Sequence, residues 1–124
     1  MKIVIVEDEK ALSGALYEKF TKVGFEAFVA NDGGEAMDII RKNSPDIIAL
    51  DLLLPKKNGF DVLAELKADP ELKDIPVIIL SNLDQDEDLK KALRLGASDY
   101  WVKSQHPINE IVDKVKMRLL ERSG

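Results

Sequence analysis

Three short aliphatic runs constrain this chain more than anything else in it. Ile3-Val4-Ile5-Val6, Ile47-Ile48-Ala49-Leu50 and Val77-Ile78-Ile79-Leu80 contain no polar side chain. Runs this short, apolar at every position, read as strands buried on both faces, the pattern of a parallel sheet covered by helices. Each run stops at polar residues: Glu7-Asp8, Asp51 and Ser81. In an open parallel sheet the carboxyl ends of the strands form the crevice where ligands bind. The chemistry of the chain is expected there.

Two more mixed runs complete the set, giving strand candidates at 2–7, 25–30, 46–51, 75–81 and 98–103. The mixed pair, 25–30 and 98–103, suits less buried positions. Between the strands the apolar period becomes helical. Leu12, Leu16, Phe20 and Val23 mark one face of a first helix that Gly24 is placed to end. Asp32 and Glu35 have capping-box spacing ahead of a second helix, with Ala36, Met37 and Ile40 inward and Asn43-Ser44-Pro45 as its stop. Val62, Leu63 and Leu66 carry a third helix, which ends before Asp69-Pro70. Asp84 and Glu87 repeat the capping spacing for a fourth, with Leu89, Ala92 and Leu93 as its packed stripe and Gly96 at its close. Pro107 suits the first turn of a fifth, followed by Ile108, Ile111, Val112, Val115 and Leu119.

The alternation is (βα)5. Right-handed crossovers and a central parallel sheet follow, an α/β fold for which a doubly wound five-stranded sheet of flavodoxin-like order 2-1-3-4-5 is the natural choice. In that order the first and third strands adjoin, so Glu7, Asp8 and Asp51 share one crevice.

At 124 residues the chain is expected to be one domain, 1–124, with no output domain attached. Its 18 Lys and Arg against 23 Asp and Glu leave a formal charge of −5, which gives no support to direct nucleic-acid binding. No apolar stretch has the length of a membrane span, and a cytoplasmic location is expected. The absence of cysteine excludes disulfides and thiolate metal sites. Gly33-Gly34 follows the second strand, but neither GxxxxGK[ST] nor GxGxxG is present, so no bound nucleotide is expected.

Asp51, directly after four apolar residues, lies at a strand tip, where an aspartate can also serve as a helix cap or a solvated loop residue. Its company shifts the balance. Crowded carboxylates repel unless a cation or a shared proton relieves them. Oxygen ligands without histidine or cysteine suit Mg²⁺, with Mn²⁺ as a substitute, and argue against zinc. Ser81 ends the fourth strand and Lys103 the fifth. Singly, each is an ordinary cap or edge residue. Together the four tips offer a set able to hold a divalent cation and a phosphoryl group side by side. Asp51 can act as nucleophile toward a phosphoryl donor and carry a mixed anhydride. In this reading Asp8 and Asp51 hold the metal directly and Glu7 through water. Lys103 pairs with Asp51 and then with the phosphoryl group, to which Ser81 donates a hydrogen bond.

The segments Ile3 to Glu9, Pro45 to Pro55 through Asn58-Gly59, Ile78 to Ser81 and Gly96 to Lys103 together resemble the receiver domain of two-component response regulators, a CheY-like fold, over nearly the full length. The resemblance implies that Asp51 is the phosphoacceptor, supplied by a histidine kinase or a histidine phosphotransfer protein. It implies that Glu7 and Asp8 are the acidic metal pair and that the Leu53 carbonyl is a backbone metal ligand. Ser81 matches the hydroxyl switch, Tyr100 the aromatic switch and Lys103 the lysine of the site. The face formed by the fourth helix, fifth strand and fifth helix would meet a downstream protein or output domain, or a second copy in a homodimer. Such a domain is a phosphorylation-activated switch and not a turnover enzyme.

Several positions depart from the commonest family pattern. Glu7 stands where the first Asp is usual, Asn82 where Ala or Gly is commoner, and Ser104 where Pro is usual. Leu53 and Leu83 occupy two variable positions at the rim; both are apolar and cannot orient a hydrolytic water, so slow autodephosphorylation is expected. Trp101 points opposite to Tyr100 and Val102 and is expected in the core against the fifth helix. His106 is expected to cap a helix. Two rival readings remain: a receiver that binds partners without phosphorylation, and a small Mg²⁺-dependent phosphohydrolase. The second would need an acid/base carboxylate two residues past the nucleophile, where Leu53 stands.

Overall fold

The computed structural model describes residues 1–123. Elements alternate along the chain as β1 (Lys2–Val6), α1 (Lys10–Lys22), β2 (Glu26–Ala30), α2 (Gly33–Asn43), β3 (Ile47–Leu50), α3 (Gly59–Ala68), β4 (Val77–Ser81), α4 (Asp86–Arg94), β5 (Asp99–Val102) and α5 (Ile108–Ser123), with a 3₁₀ turn at Lys103–Gln105. The five strands are parallel in the order β2-β1-β3-β4-β5, the flavodoxin-like arrangement expected above.

The central strands divide their side chains between two cores at a period of two. Val4, Val6, Ile48, Leu50, Val77 and Ile79 face α2, α3 and Ala92 of α4. Ile3, Ile5, Ile47, Ala49, Ile78 and Leu80 face Leu16 and Phe20 of α1 and Ile111, Val112, Val115 and Leu119 of α5. Both faces are therefore dry, which is why these strands carry no polar residue until they end. Trp101 joins the α1/α5 core while Tyr100 packs on the other, as the alternation along β5 requires. β2 and β5 are the sheet edges and the less buried strands.

Local signals hold at most helix ends. Asp32 Oδ1 accepts from the Glu35 N–H at 2.8 Å, while Glu35 reaches one residue beyond the cap to the Asn31 N–H at 2.6 Å. Ser44 closes α2 in the left-handed conformation, φ 45°. Three expectations need correction. The Asp84–Glu87 spacing does not cap α4: Gln85 takes the N-cap position, and the acidic first turn of Asp86, Glu87 and Asp88 faces the positive end of the helix instead. Leu89 and Leu93 are exposed, because the short Ala92 side chain alone makes the buried contact of α4. Val23 lies at the C-cap of α1, where the helix has already turned away from the core, and is exposed. His106 does stand at a cap, closing the 3₁₀ turn with its N–H on the Lys103 carbonyl, and its ring Nδ1 pairs with Glu110 Oε1 at 2.9 Å, one turn into α5. Among the described residues no helix is long and apolar enough to cross a membrane.

Candidate functional site

Strand register brings the polar tips together. β1 and β3 pair in step, Val6 beside Leu50, so the next residues, Glu7 and Asp51, emerge side by side. The ladder continues one step past the strands, where the Asp51 N–H donates to the Val6 carbonyl at 3.0 Å and the Glu7 N–H to Ala30 at 2.9 Å. Ser81 is the last residue of β4 and pairs with Val102, which places Lys103 one residue beyond. Carboxylate oxygens of Glu7, Asp8 and Asp51 all lie within 4.8 Å of one another. Glu7 and Asp51 are buried; Asp8 is exposed.

A single ammonium sits between the two buried carboxylates. Lys103 Nζ donates to Asp51 Oδ2 at 2.8 Å and contacts Glu7 Oε1. Burial pushes the Glu7 carboxyl above the usual carboxylate range, against the pull of Lys103 and the Glu9 N–H. Burial also works against the Lys103 charge, but the hydrogen bonds it donates to Asp51 and Glu7 outweigh it and hold the ammonium above its ordinary value. Three carboxylates against one ammonium leave excess negative charge. The donor set is all oxygen, so the residues fit a hard divalent cation.

The backbone around Asp51 is fitted closely. Asp51 Oδ1 accepts from the Leu53 N–H at 3.2 Å, and Gly59 at the start of α3 donates its N–H to the Leu52 carbonyl at 2.9 Å. A Cβ on Gly59 would overlap the Asp51 carbonyl oxygen, so only glycine lets α3 begin here. The Leu53 side chain projects into solvent at the rim, 55% exposed. Ser81 is fully buried, and its Oγ lies 3.5 Å from the Leu83 N–H. The Tyr100 hydroxyl donates to the Leu83 carbonyl at 2.6 Å. Burial, with Asp88, Asp51 and Asp84 nearby, pushes the Tyr100 phenol up to about 12.

All seven residues singled out from the sequence, Glu7, Asp8, Asp51, Leu53, Ser81, Tyr100 and Lys103, thus lie on the carboxyl edge of the sheet or the elements leading to it. The structure adds Asn31. Its side-chain amide donates to the Glu7 carbonyl at 2.9 Å and reaches Ser13 Oγ at 3.4 Å, tying β1, β2 and α1 together beneath the acidic pair. An asparagine at a strand end reads as loop, so no sequence signal marked it.

A family model for the response regulator receiver domain matches residues 3–116. The chain belongs to that family. This receiver is similar to the receiver domain of the Francisella response regulator 1452, with 32% identity over 99% of this chain and 98% of that one and a TM-score of 0.87. It is similar also to the phosphorylated cyanobacterial phytochrome response regulator RcpA, at 38% identity over 96% and 93% with a TM-score of 0.84. The Mn²⁺-bound form of response regulator Rcp1 matches at 32% identity over 93% and 91%, TM-score 0.82. Receivers are phosphoacceptor signalling domains of two-component systems and not turnover enzymes; they bind a divalent metal and work with histidine kinases and output domains.

Proposed function

We propose that Asp51 of this receiver accepts a phosphoryl group from a histidine kinase or a histidine phosphotransfer protein in the cytoplasm. The observation that carries the reading is the Lys103 ammonium lodged between the buried carboxylates of Asp51 and Glu7. A carboxylate oxygen of Asp51 attacks phosphorus, the phosphorus–nitrogen bond to the donor imidazole breaks, and the imidazole leaves with its electron pair and takes up a proton. Glu7, Asp8, Asp51 and the Leu53 carbonyl would hold Mg²⁺, or Mn²⁺ in its place. When bound, the ion offsets charge on the phosphoryl oxygens.

Lys103 keeps Asp51 ionised and oriented before transfer and then follows the new charge onto the phosphoryl oxygens. Ser81 turns its hydroxyl from the Leu83 N–H to donate to a phosphoryl oxygen, and the Tyr100 ring moves inward as the loop after β4 shifts. The surface of α4, β5 and α5, with Leu89 and Leu93 exposed on it, then engages a downstream protein, an output domain or a second copy of the chain. Leu53 offers no acid or base, which disfavours a phosphohydrolase.

Intact-mass measurement after incubation with acetyl phosphate and Mg²⁺ tests the reading. One added phosphoryl group is expected in the wild type and none in Asp51→Asn. No addition to the wild type would favour a receiver that works without phosphorylation, and rapid repeated hydrolysis of the donor would favour the hydrolase.

A further inference from the structure

The two residues that depart from the family pattern after Ser81 and after Lys103 touch each other. The Ser104 N–H donates to Asn82 Oδ1 at 3.1 Å, across twenty-two residues of sequence. A proline at 104 has no N–H to give, and an alanine or glycine at 82 has no oxygen to receive it. The bond therefore exists only because both positions differ together.

Its location gives it a task. Lys103 opens the 3₁₀ turn, and the first N–H groups of a helical turn have no partner within it. Asn82 supplies one from a different loop. The Lys103 carbonyl accepts from the His106 N–H at 3.3 Å, and the Ser104 N–H belongs to the same planar peptide. Both ends of the Lys103–Ser104 peptide are thus held, and with them the direction in which the Lys103 side chain leaves the backbone. On the other side the loop after β4 is tied to β5 by the Tyr100 hydroxyl on the Leu83 carbonyl at 2.6 Å.

We propose that Asn82 is a positioning residue for Lys103: its side-chain oxygen anchors the Lys103–Ser104 peptide and so keeps the ammonium on Asp51 and Glu7. The consequence for phosphoryl uptake rests on the reading of Asp51 above; the anchoring itself does not. Asn82 is exposed, so its replacement leaves the packed cores intact.

The test uses the full chain with Asn82→Ala, which removes bulk and acceptor, Asn82→Leu, which keeps the bulk and removes the acceptor, and Asn82→Asp, which keeps the acceptor. In nuclear magnetic resonance spectra without phosphodonor, Ser104 amide exchange should quicken about threefold to tenfold in the Ala and Leu variants, the range for a hydrogen bond that competes with water. The Lys103 ammonium signal should weaken in the same two variants, and Asn82→Asp should keep both signatures. With acetyl phosphate and Mg²⁺, the Ala and Leu variants should share a limiting uptake rate lowered by a similar factor at unchanged half-saturation. Unaltered Ser104 and Lys103 signals in Asn82→Leu would overturn the proposal, as would faster uptake in Asn82→Ala with wild-type uptake in Asn82→Leu, the pattern of a purely steric gate. If the wild type took up no phosphoryl group, the Asp51 reading would fail while the two resonance signatures still decided the role of Asn82.

Discussion

Lys103 and Asp51, fifty-two residues apart in the chain, are joined by a 2.8 Å hydrogen bond between side chains that are almost wholly buried. The same ammonium reaches Glu7, so one positive charge serves two carboxylates in a site of low dielectric. Removing it leaves both anions buried and unpaired, which for a buried pair costs about 3 kcal/mol or more. Lys103→Ala is therefore expected to lower the urea midpoint in metal-free buffer and to recover part of the loss in Mg²⁺, which binds the folded site. Phosphorylation of the variant should no longer change the fluorescence of Trp101, two residues away. A midpoint equal to that of the wild type would contradict the pairing.

Gly59→Ala reverses the usual rule. In a helix the exchange normally gains about 1 kcal/mol from propensity. Here the added methyl collides with the Asp51 carbonyl, and forced overpacking costs about 1–3 kcal/mol. Because the obstacle is backbone and cannot rotate away, a net loss of up to about 2 kcal/mol is expected in urea unfolding. A stabilised variant would show that α3 does not press on Asp51 as described.

Tyr100 gives a pH signature. Its phenol is raised to about 12 in the folded chain, against about 10 for a free tyrosine. The fold thus prefers the protonated phenol, which donates to Leu83. Its contribution to stability is fully present below about pH 10 and is lost between about 10 and 12 as the unfolded chain ionises first. Chemical unfolding across that window should show a steeper alkaline loss in the wild type than in Tyr100→Phe. Equal slopes would mean that the hydroxyl is not held.

Leu53 and Leu83 set the expected lifetime of the phosphoryl group. Neither can orient a water against an aspartyl phosphate, so loss should be slow. Leu53→Asn places an amide at the exposed rim and should speed dephosphorylation by about tenfold, a modest share of what orienting a reactant can yield. A lifetime of only seconds in the purified wild type would contradict this account of the rim.

Much of this was legible in the sequence because a parallel sheet converts one-dimensional position into proximity. An apolar run that ends in Glu7, Asp51 or Ser81 puts that residue at one edge wherever the strands lie in the order, and the observed order β2-β1-β3-β4-β5 is one of the common doubly wound arrangements that a (βα)5 alternation can adopt. What periodicity leaves open is coverage. The spacing of Leu89 and Leu93 places them on a common side of α4, but spacing alone does not tell whether another element packs there, and none buries them. The start of α4 escapes local pattern for a related reason: Asp84 and Glu87 have the right separation, yet the chain enters the helix at Asp86 with no side-chain cap. Asn31 on Glu7 and Asn82 on Ser104 bridge separate loops, whose course no local pattern encodes.

On the proposed function, Asp51 itself carries the phosphoryl group. Borohydride reduces an acyl phosphate to an alcohol, which marks the residue permanently. Treating the protein with acetyl phosphate and Mg²⁺, then borohydride, and mapping peptides by mass spectrometry should place the mark at Asp51 and leave Glu7 and Asp8 unchanged. A mark on either of those carboxylates, or phosphorylated protein with no mark at Asp51, would contradict the account.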